Sequence, residues 1–445
     1  MKAHPMVAAV ERADFARPYG YVCRLGSGFV EATGPATALG DLCDIECGSV
    51  EGGSPRRLVA EVAAVDEERV ILIPLEQHVT VRPGAKVVAR PLRDRVAVGD
   101  GFAGRVVDSL GRPLDGGHRV EADAYRRLAG QVPAPLDRSD PSRRLTTGIR
   151  AIDALLTLGH GQRVGIFSAS GVGKTSLMEQ LAAQVACDRC VICLVGERGR
   201  EVEALWRNLS GRKDAARYTI VAATSDESAA LRARAASYAL CLAEHWRAKG
   251  EHVLLLVDSV TRLAMALREI GLAAGAPPTV RAYTPNVFAA LPRLVERCGA
   301  TRNAGSITAI MTVLSETDDV DDPIVELMKS LLDGHIILSR SLAEQGHFPA
   351  IDVPRSVSRG CERLNAADHV AVMRDVVAML GAHEEARVMI ETGVYRAGTN
   401  PIVDRAISAQ DDITAFLRQA ADERSGFDES LRRLKAISAG VVGHA

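Results

Sequence analysis

A chain of 445 residues is long enough for two or three domains of about 150 residues each. Its 54 basic and 56 acidic residues leave a net charge of −2, which gives no broad electrostatic footprint for nucleic acid or an anionic membrane, although a local basic pore stays compatible with it. No uncharged apolar run reaches about 18 residues, and residues 1–12 hold no signal-type apolar core, so a soluble, cytoplasmic protein is expected.

Residues 1–92 read as an N-terminal β-barrel domain. Short β-branched runs at 20–25, 28–32, 57–62, 70–74 and 86–90 are separated by turns, the pattern of a small antiparallel barrel. Aromatics make up only 4% of the chain, and this stretch offers few exposed ones for stacking on nucleic-acid bases. A Gly/Pro-rich connector at 98–117 and a polar, Pro-rich stretch at 131–144 follow.

From 146 to about 355, apolar strands alternate with helical patterns, the signature of a parallel sheet covered by helices. Strands are expected at 163–167, 191–195, 218–222, 253–257, 306–313 and 335–338. Between the first strand and a helix at 176–184 lies Ser168-Ala169-Ser170-Gly171-Val172-Gly173-Lys174-Thr175. A glycine-rich turn at a helix N-terminus is a phosphate cradle. Its N–H groups and the helix dipole favour negative charge, Lys174 reaches the terminal phosphates, and Thr175 can ligate Mg²⁺. Residues 169–176, through Ser176, are therefore the nucleoside triphosphate site, with Ser168 standing where the strict pattern has glycine.

Nine cysteines, an odd number, are scattered along the chain and read as reduced thiols. Cys187, Cys190 and Cys193 are spaced like zinc ligands, but Cys193 lies inside an apolar run, which favours small buried hydrophobes. Next, a strand runs into the charged turn Gly196-Glu197-Arg198-Gly199-Arg200-Glu201. Glu197 could orient a water attacking a γ-phosphate; an Arg–Glu pair in a solvated loop is the competing reading. About 80 residues beyond the cradle, an apolar strand ends in Asp258, placed to face the Mg²⁺ of Thr175 through a water. Further on, Arg359 stands in a Ser/Gly-rich loop. It could neutralise charge on a transferring phosphoryl group, though on spacing alone a surface arginine is the simpler reading. The last ninety or so residues carry helical periodicity, giving domains at 1–92, 93–358 and 359–445.

The motifs "SASGVGKT", "VGERGREV", "LLLVDSVTR", "LLDGHIILSR" and "FPAIDVPRSVSR", in this order, resemble the export ATPases of flagella and type III secretion systems, relatives of the catalytic subunit of rotary ATP synthases. The resemblance runs from about residue 20 to 434. It implies an α/β fold: a RecA-like parallel-sheet nucleotide domain between an N-terminal β-barrel and a C-terminal helical domain. It also implies an ATP hydrolase acting as a homo-hexameric ring, with ATP and Mg²⁺ bound between subunits. By that resemblance Lys174 and Thr175 hold phosphate and Mg²⁺, and Glu197 activates the hydrolytic water. Arg198 and Arg262 lie near the γ-phosphate, Asp258 ends the second Walker strand, and Phe348 packs on the adenine. Arg359 is the arginine finger of the neighbouring subunit.

The implied task is to drive export through a flagellar or virulence type III apparatus. Implied partners are stator and stalk proteins, chaperone–substrate complexes and an inner-membrane export gate. The implied location is the cytoplasmic face of that membrane, and no nucleic acid is expected. Two departures stand out. Ser168 replaces Ala or Gly, a hydroxyl tolerable if it faces solvent or caps the turn. Ala421 stands where the rotary subunit has a second aromatic on the adenine. The rival readings are a rotary synthase subunit, which would carry different phosphate-loop and "AGAPPT" sequences, an RNA-translocating ring helicase, and a non-catalytic ring subunit, which would lack Glu197.

Overall fold

The computed structural model describes residues 18–47, 56–76, 80–90, 94–315 and 322–440; the apolar-core reading of residues 1–12 falls outside them. Six strands, β1 (Tyr19–Gly26), β2 (Phe29–Ala32), β3 (Leu42–Cys47), β4 (Arg56–Val65), β5 (Val70–Pro74) and β6 (Lys86–Ala89), close a barrel in the order β1-β2-β5-β4-β3-β6. Period-2 alternation drives it. Leu58, Ala60 and Val62 point inward from β4 and pack with Val22, Val30, Ile45, Leu72 and Val87. Strand β3 was not expected: Asp44 and Glu46 alternate with its buried residues and break up the apolar run. The barrel also carries an exposed aromatic pair. Tyr19 and Tyr21 meet edge to face at 5.8 Å, with the Lys86 ammonium 4.6 Å from the Tyr19 ring.

The connector hides a strand, β7 (Arg105–Val107), which joins β8 (Arg163–Ser168), β9 (Arg189–Glu197), β10 (Tyr218–Thr224), β11 (His252–Asp258), β12 (Ser306–Leu314), β13 (Gly334–Leu338) and β14 (Ile351–Ser358). Their order is β14-β13-β8-β12-β11-β9-β10-β7, with two short further strands attached. All neighbours along it run parallel except β14 against β13. The strands are almost continuously apolar because helices cover both faces. Along β9, Val191, Cys193 and Val195 enter one core and Cys190, Ile192 and Leu194 the other. Cys190 and Cys193 thus lie on opposite faces of the sheet and cannot share a metal ion.

The segment expected as a loop before Arg359 is strand β14. Its edge position tolerates Pro354, which lacks the N–H an inner strand would need.

Eight helices matter below: α1 (Arg150–Leu155), α2 (Lys174–Gln184), α3 (Gly199–Ser210), α4 (Ala229–Ala248), α5 (Val260–Ala273), α6 (Ala367–Glu391), α7 (Pro401–Leu417) and α8 (Phe427–Ser438). Ser228 and Ser259 cap α4 and α5 by accepting from the N–H groups of Leu231 and Arg262. The C-terminal helices dock on the sheet domain through α1. The buried Arg150 donates from Nε to the Phe416 carbonyl at 2.7 Å, and its backbone N–H donates to Gln419 at 2.8 Å. His369, at the start of α6, bonds the Ala154 carbonyl at 2.8 Å.

Candidate active site

The turn after β8 reverses through Gly171 at φ +82° and Gly173 at φ +91°, a region that L side chains rarely adopt. At Gly173 a Cβ would also sit 3.3 Å from the Phe348 ring, a tight contact that the half-exposed ring would have to ease by a few tenths of an ångström. Helix α2 opens at Lys174, and its free N–H groups face the turn as an anion cradle. Ser168 neither faces solvent nor caps this turn. It is 2% exposed, and its hydroxyl finds no partner.

Three carboxyl-terminal strand ends converge beneath the cradle. Lys174 Nζ, carried by α2 after β8, pairs with Asp258 at the end of β11 and lies 3.9 Å from Glu197 at the end of β9. Asp258 is buried and accepts from the Thr312 hydroxyl at 2.7 Å. Glu197 owes its place to a bulge. Val195 pairs with Ala223 and Glu197 with Thr224, so Gly196, at φ +69°, is the extra residue that turns Glu197 inward. Glu197 is 5% exposed, which is not the solvated loop that the sequence left open. Its ionic partner is Arg262 on α5, at 3.3 Å, and Arg262 also donates to the Gly196 carbonyl. Burial first, and the Asp258 charge second, push the Glu197 carboxyl up to about 7 against the pull of Lys174 and Arg262. A hydrogen bond with Glu201 raises it further. Arg198, the residue before α3, is exposed.

Sequence reasoning missed Thr312 and Glu201. A buried Thr near the end of the apolar β12 was the available signal for the first. Thr175, Glu197, Glu201 and Asp258 line one pocket together with Met178 and Leu256. Its donors are all oxygens, a set that suits a hard divalent cation such as Mg²⁺.

Phe348 stands at the mouth, 46% exposed, with its ring over Gly173. Its carbonyl accepts from the Gln419 N–H at 2.8 Å, so the helical domain meets the nucleotide mouth here. The Ala421 carbonyl lies 3.5 Å from Gln184 Nε2 at the end of α2. Arg359 is not in this cluster. Its N–H donates to Asp333, whose own N–H donates to Arg163, the first residue of β8. The cradle follows the last residue of β8, and five steps of about 3.3 Å separate the two by about 17 Å. Arg359 is exposed, at the opposite end of the strands from the cradle.

Residues 148–358 match the ATP synthase alpha/beta family, nucleotide-binding domain, and residues 366–436 match the T3SS EscN ATPase C-terminal domain. The "Flagellum-specific ATP synthase" of Bacillus subtilis strain 168 is 40% identical over 438 residues, covering 98% of this chain and 99% of the relative. The "Type 3 secretion system ATPase" of Xanthomonas euvesicatoria is 40% identical over 424 residues, 95% of this chain and 94% of the relative. The assembled ATPase EscN from the enteropathogenic E. coli type III secretion system superposes with a TM-score of 0.89 at 36% identity, over 94% of this chain and 100% of that one. EscN in complex with its central stalk EscO superposes with a TM-score of 0.84 at 35% identity, over the same shares. The chain belongs to the family of flagellum-specific ATP synthases and type 3 secretion system ATPases.

Proposed function

We propose that this chain hydrolyses ATP to energise protein export, and that it works as a homo-hexameric ring with each site completed by a neighbour. The observation that carries this reading is the meeting of Lys174, Asp258, Glu197 and Arg262 beneath a glycine cradle, while Arg359 is exposed at the other end of the strands of the same sheet. Residues 169–176 cradle the phosphates, and Lys174 turns from Asp258 to the β/γ-phosphates. Thr175 and Asp258 would hold Mg²⁺, which supplies charge neutralisation at the phosphate oxygens. Glu197 accepts the proton of the attacking water, Arg198 and Arg262 flank the γ-phosphate, and Phe348 covers the adenine.

The barrel ends at Ala89 and β14 at Ser358, which supports a division into units 1–92, 93–358 and 359–445. EscN has been solved assembled and with its central stalk, and a ring with a stalk partner is carried over from it. Stator proteins, chaperone–substrate complexes and an inner-membrane gate follow from the motif resemblance, as does a place at the cytoplasmic face of that membrane. No described helix is long and apolar enough to cross a membrane.

The test is ATPase rate against protein concentration, with and without single-stranded RNA. Upward curvature without RNA stimulation supports the export ring. Strong RNA dependence, with the exposed Tyr19–Tyr21 pair as its stacking platform, overturns it.

Two expectations attach to Glu197. Glu197→Gln keeps the shape but removes the proton acceptor, so ATP is bound while hydrolysis falls about 10²-fold or more. Retention of over about a tenth of the activity would reject the assignment. Because a base must be deprotonated to act and this carboxyl sits at about 7, kcat/KM is expected to rise with pH and level off above that value. A profile flat between about pH 6 and about pH 8 would exclude Glu197 as the group that titrates.

A further inference from the structure

Away from the nucleotide site, the connector and the residues that follow it, to Asp123, meet the last turn of α4. There Asp100, Asp123 and His245 bring one ligand atom each to within 4.8 Å of one another. His245 is 7% exposed, and its Nε2 is buried with no hydrogen-bond partner. That nitrogen points between the two carboxylates, 3.9 Å from Asp100 Oδ1 and 3.8 Å from Asp123 Oδ2. The carboxylates are held in place. Asp100 Oδ1 accepts from Trp246 Nε1 at 2.9 Å, and Asp123 Oδ2 accepts from the Asp100 N–H at 2.8 Å.

We propose that Asp100, Asp123 and His245 bind a divalent transition-metal ion of the zinc type. One imidazole and two carboxylates form a mixed nitrogen and oxygen set that zinc and cobalt accept. Bonds of about 2.0–2.1 Å in a tetrahedron put ligand atoms about 3.3 Å apart, so the two distances from His245 close by about half an ångström and the widest spacing in the set by up to about 1.5 Å, a movement the two exposed aspartates can make. The two aspartates are half exposed, with side chains 53% and 49% accessible, so the ion has a way in and water can complete its shell.

Lys249 competes for the place. Its ammonium lies 2.8 Å from Asp100 Oδ1 and 3.8 Å from Asp123 Oδ2 on a side chain 39% exposed. A metal ion displaces that head into solvent, so Lys249 weakens binding, and Arg126 and Arg189 add to the opposing positive field. The consequence of binding is mechanical: the ion ties the connector to the C-terminal end of α4.

The test uses the full chain, stripped by chelation and held in excess Mg²⁺ so that the all-oxygen nucleotide pocket is saturated. Cobalt is titrated by its visible absorption and then displaced by zinc. One equivalent is expected, without thiolate charge-transfer bands. Lys249→Met is expected to tighten binding about tenfold. Asp123→Asn and His245→Asn are each expected to weaken it by at least the roughly tenfold that losing even an indirect metal partner costs. Asp123 is half exposed, so its variant stays interpretable if His245→Asn fails to fold. Equal affinity in the wild type and Asp123→Asn, a thiolate spectrum, or no cobalt bound by Lys249→Met would each overturn the site.

Discussion

Lys174→Ala is expected to abolish ATP hydrolysis and to weaken ATP binding. The loss is larger than that of one attractive contact. Asp258 and Glu197 are 6% and 5% exposed, and Lys174 is a cation they share. Without it the triphosphate would approach two buried acidic groups with only Arg262 beside them, so attraction gives way to repulsion. A loss beyond about 10³-fold in rate is expected, since charge placed where it develops in the transition state is worth several kcal/mol. Binding of a fluorescent ATP analogue and phosphate release, measured on folded protein, check both parts. Near-normal turnover would mean that the phosphate loop has been misassigned.

Arg359→Ala is expected to bind ATP normally and hydrolyse almost none. A guanidinium aimed at the transferring phosphoryl group is worth about 10³–10⁵ in rate and adds little to ground-state binding. Within one chain Arg359 cannot do this, because about 17 Å of β8 lies between it and the cradle. On the proposed reading, a neighbour's Arg359 reaches it instead. Mixing Arg359→Ala with Lys174→Ala is therefore expected to restore part of the activity. Some interfaces of a mixed ring pair an intact loop from one variant with an intact arginine from the other. ATPase rates are measured across mixing ratios at a concentration where rings form. Rates that stay at the sum of the two dead variants, with mixed rings confirmed, would rule out the shared site.

What the sequence disclosed depended on how local the physics was. Six strands of the central sheet were legible because burial on both faces makes them unbroken apolar runs. Strands β3 and β14 were not. One alternates with acids, and the other carries Pro354 at an edge where the sheet tolerates it. The phosphate cradle is contiguous in the chain, so its residues could be read directly. Thr312 joins the site only by tertiary packing, whereas Glu201 lies four residues beyond Glu197 in the same charged turn and only its inward side chain was not legible. Glu197 fell between. The residue type and the turn were visible, but only the bulge at Gly196 and the resulting burial separate a buried carboxyl from a loop ion pair. Ser168 shows the opposite failure: both settings allowed for its hydroxyl were wrong, and it is buried without a partner.

The bond from the Gln419 N–H to the Phe348 carbonyl ties the helical domain to Phe348, and the geometry is that of a lever arm. Its fulcrum is the docking of Arg150 and His369 against the sheet domain, and its load end is the far tip of α6. Twenty-five residues of helix extend about 37 Å, so a 10° tilt at the root would sweep the tip through about 6 Å. Val388 and Val394 stand 65% and 69% exposed near that tip. On the proposed reading, in which a base seats beside Phe348, a small tilt at that root would become a displacement several times larger at an apolar surface.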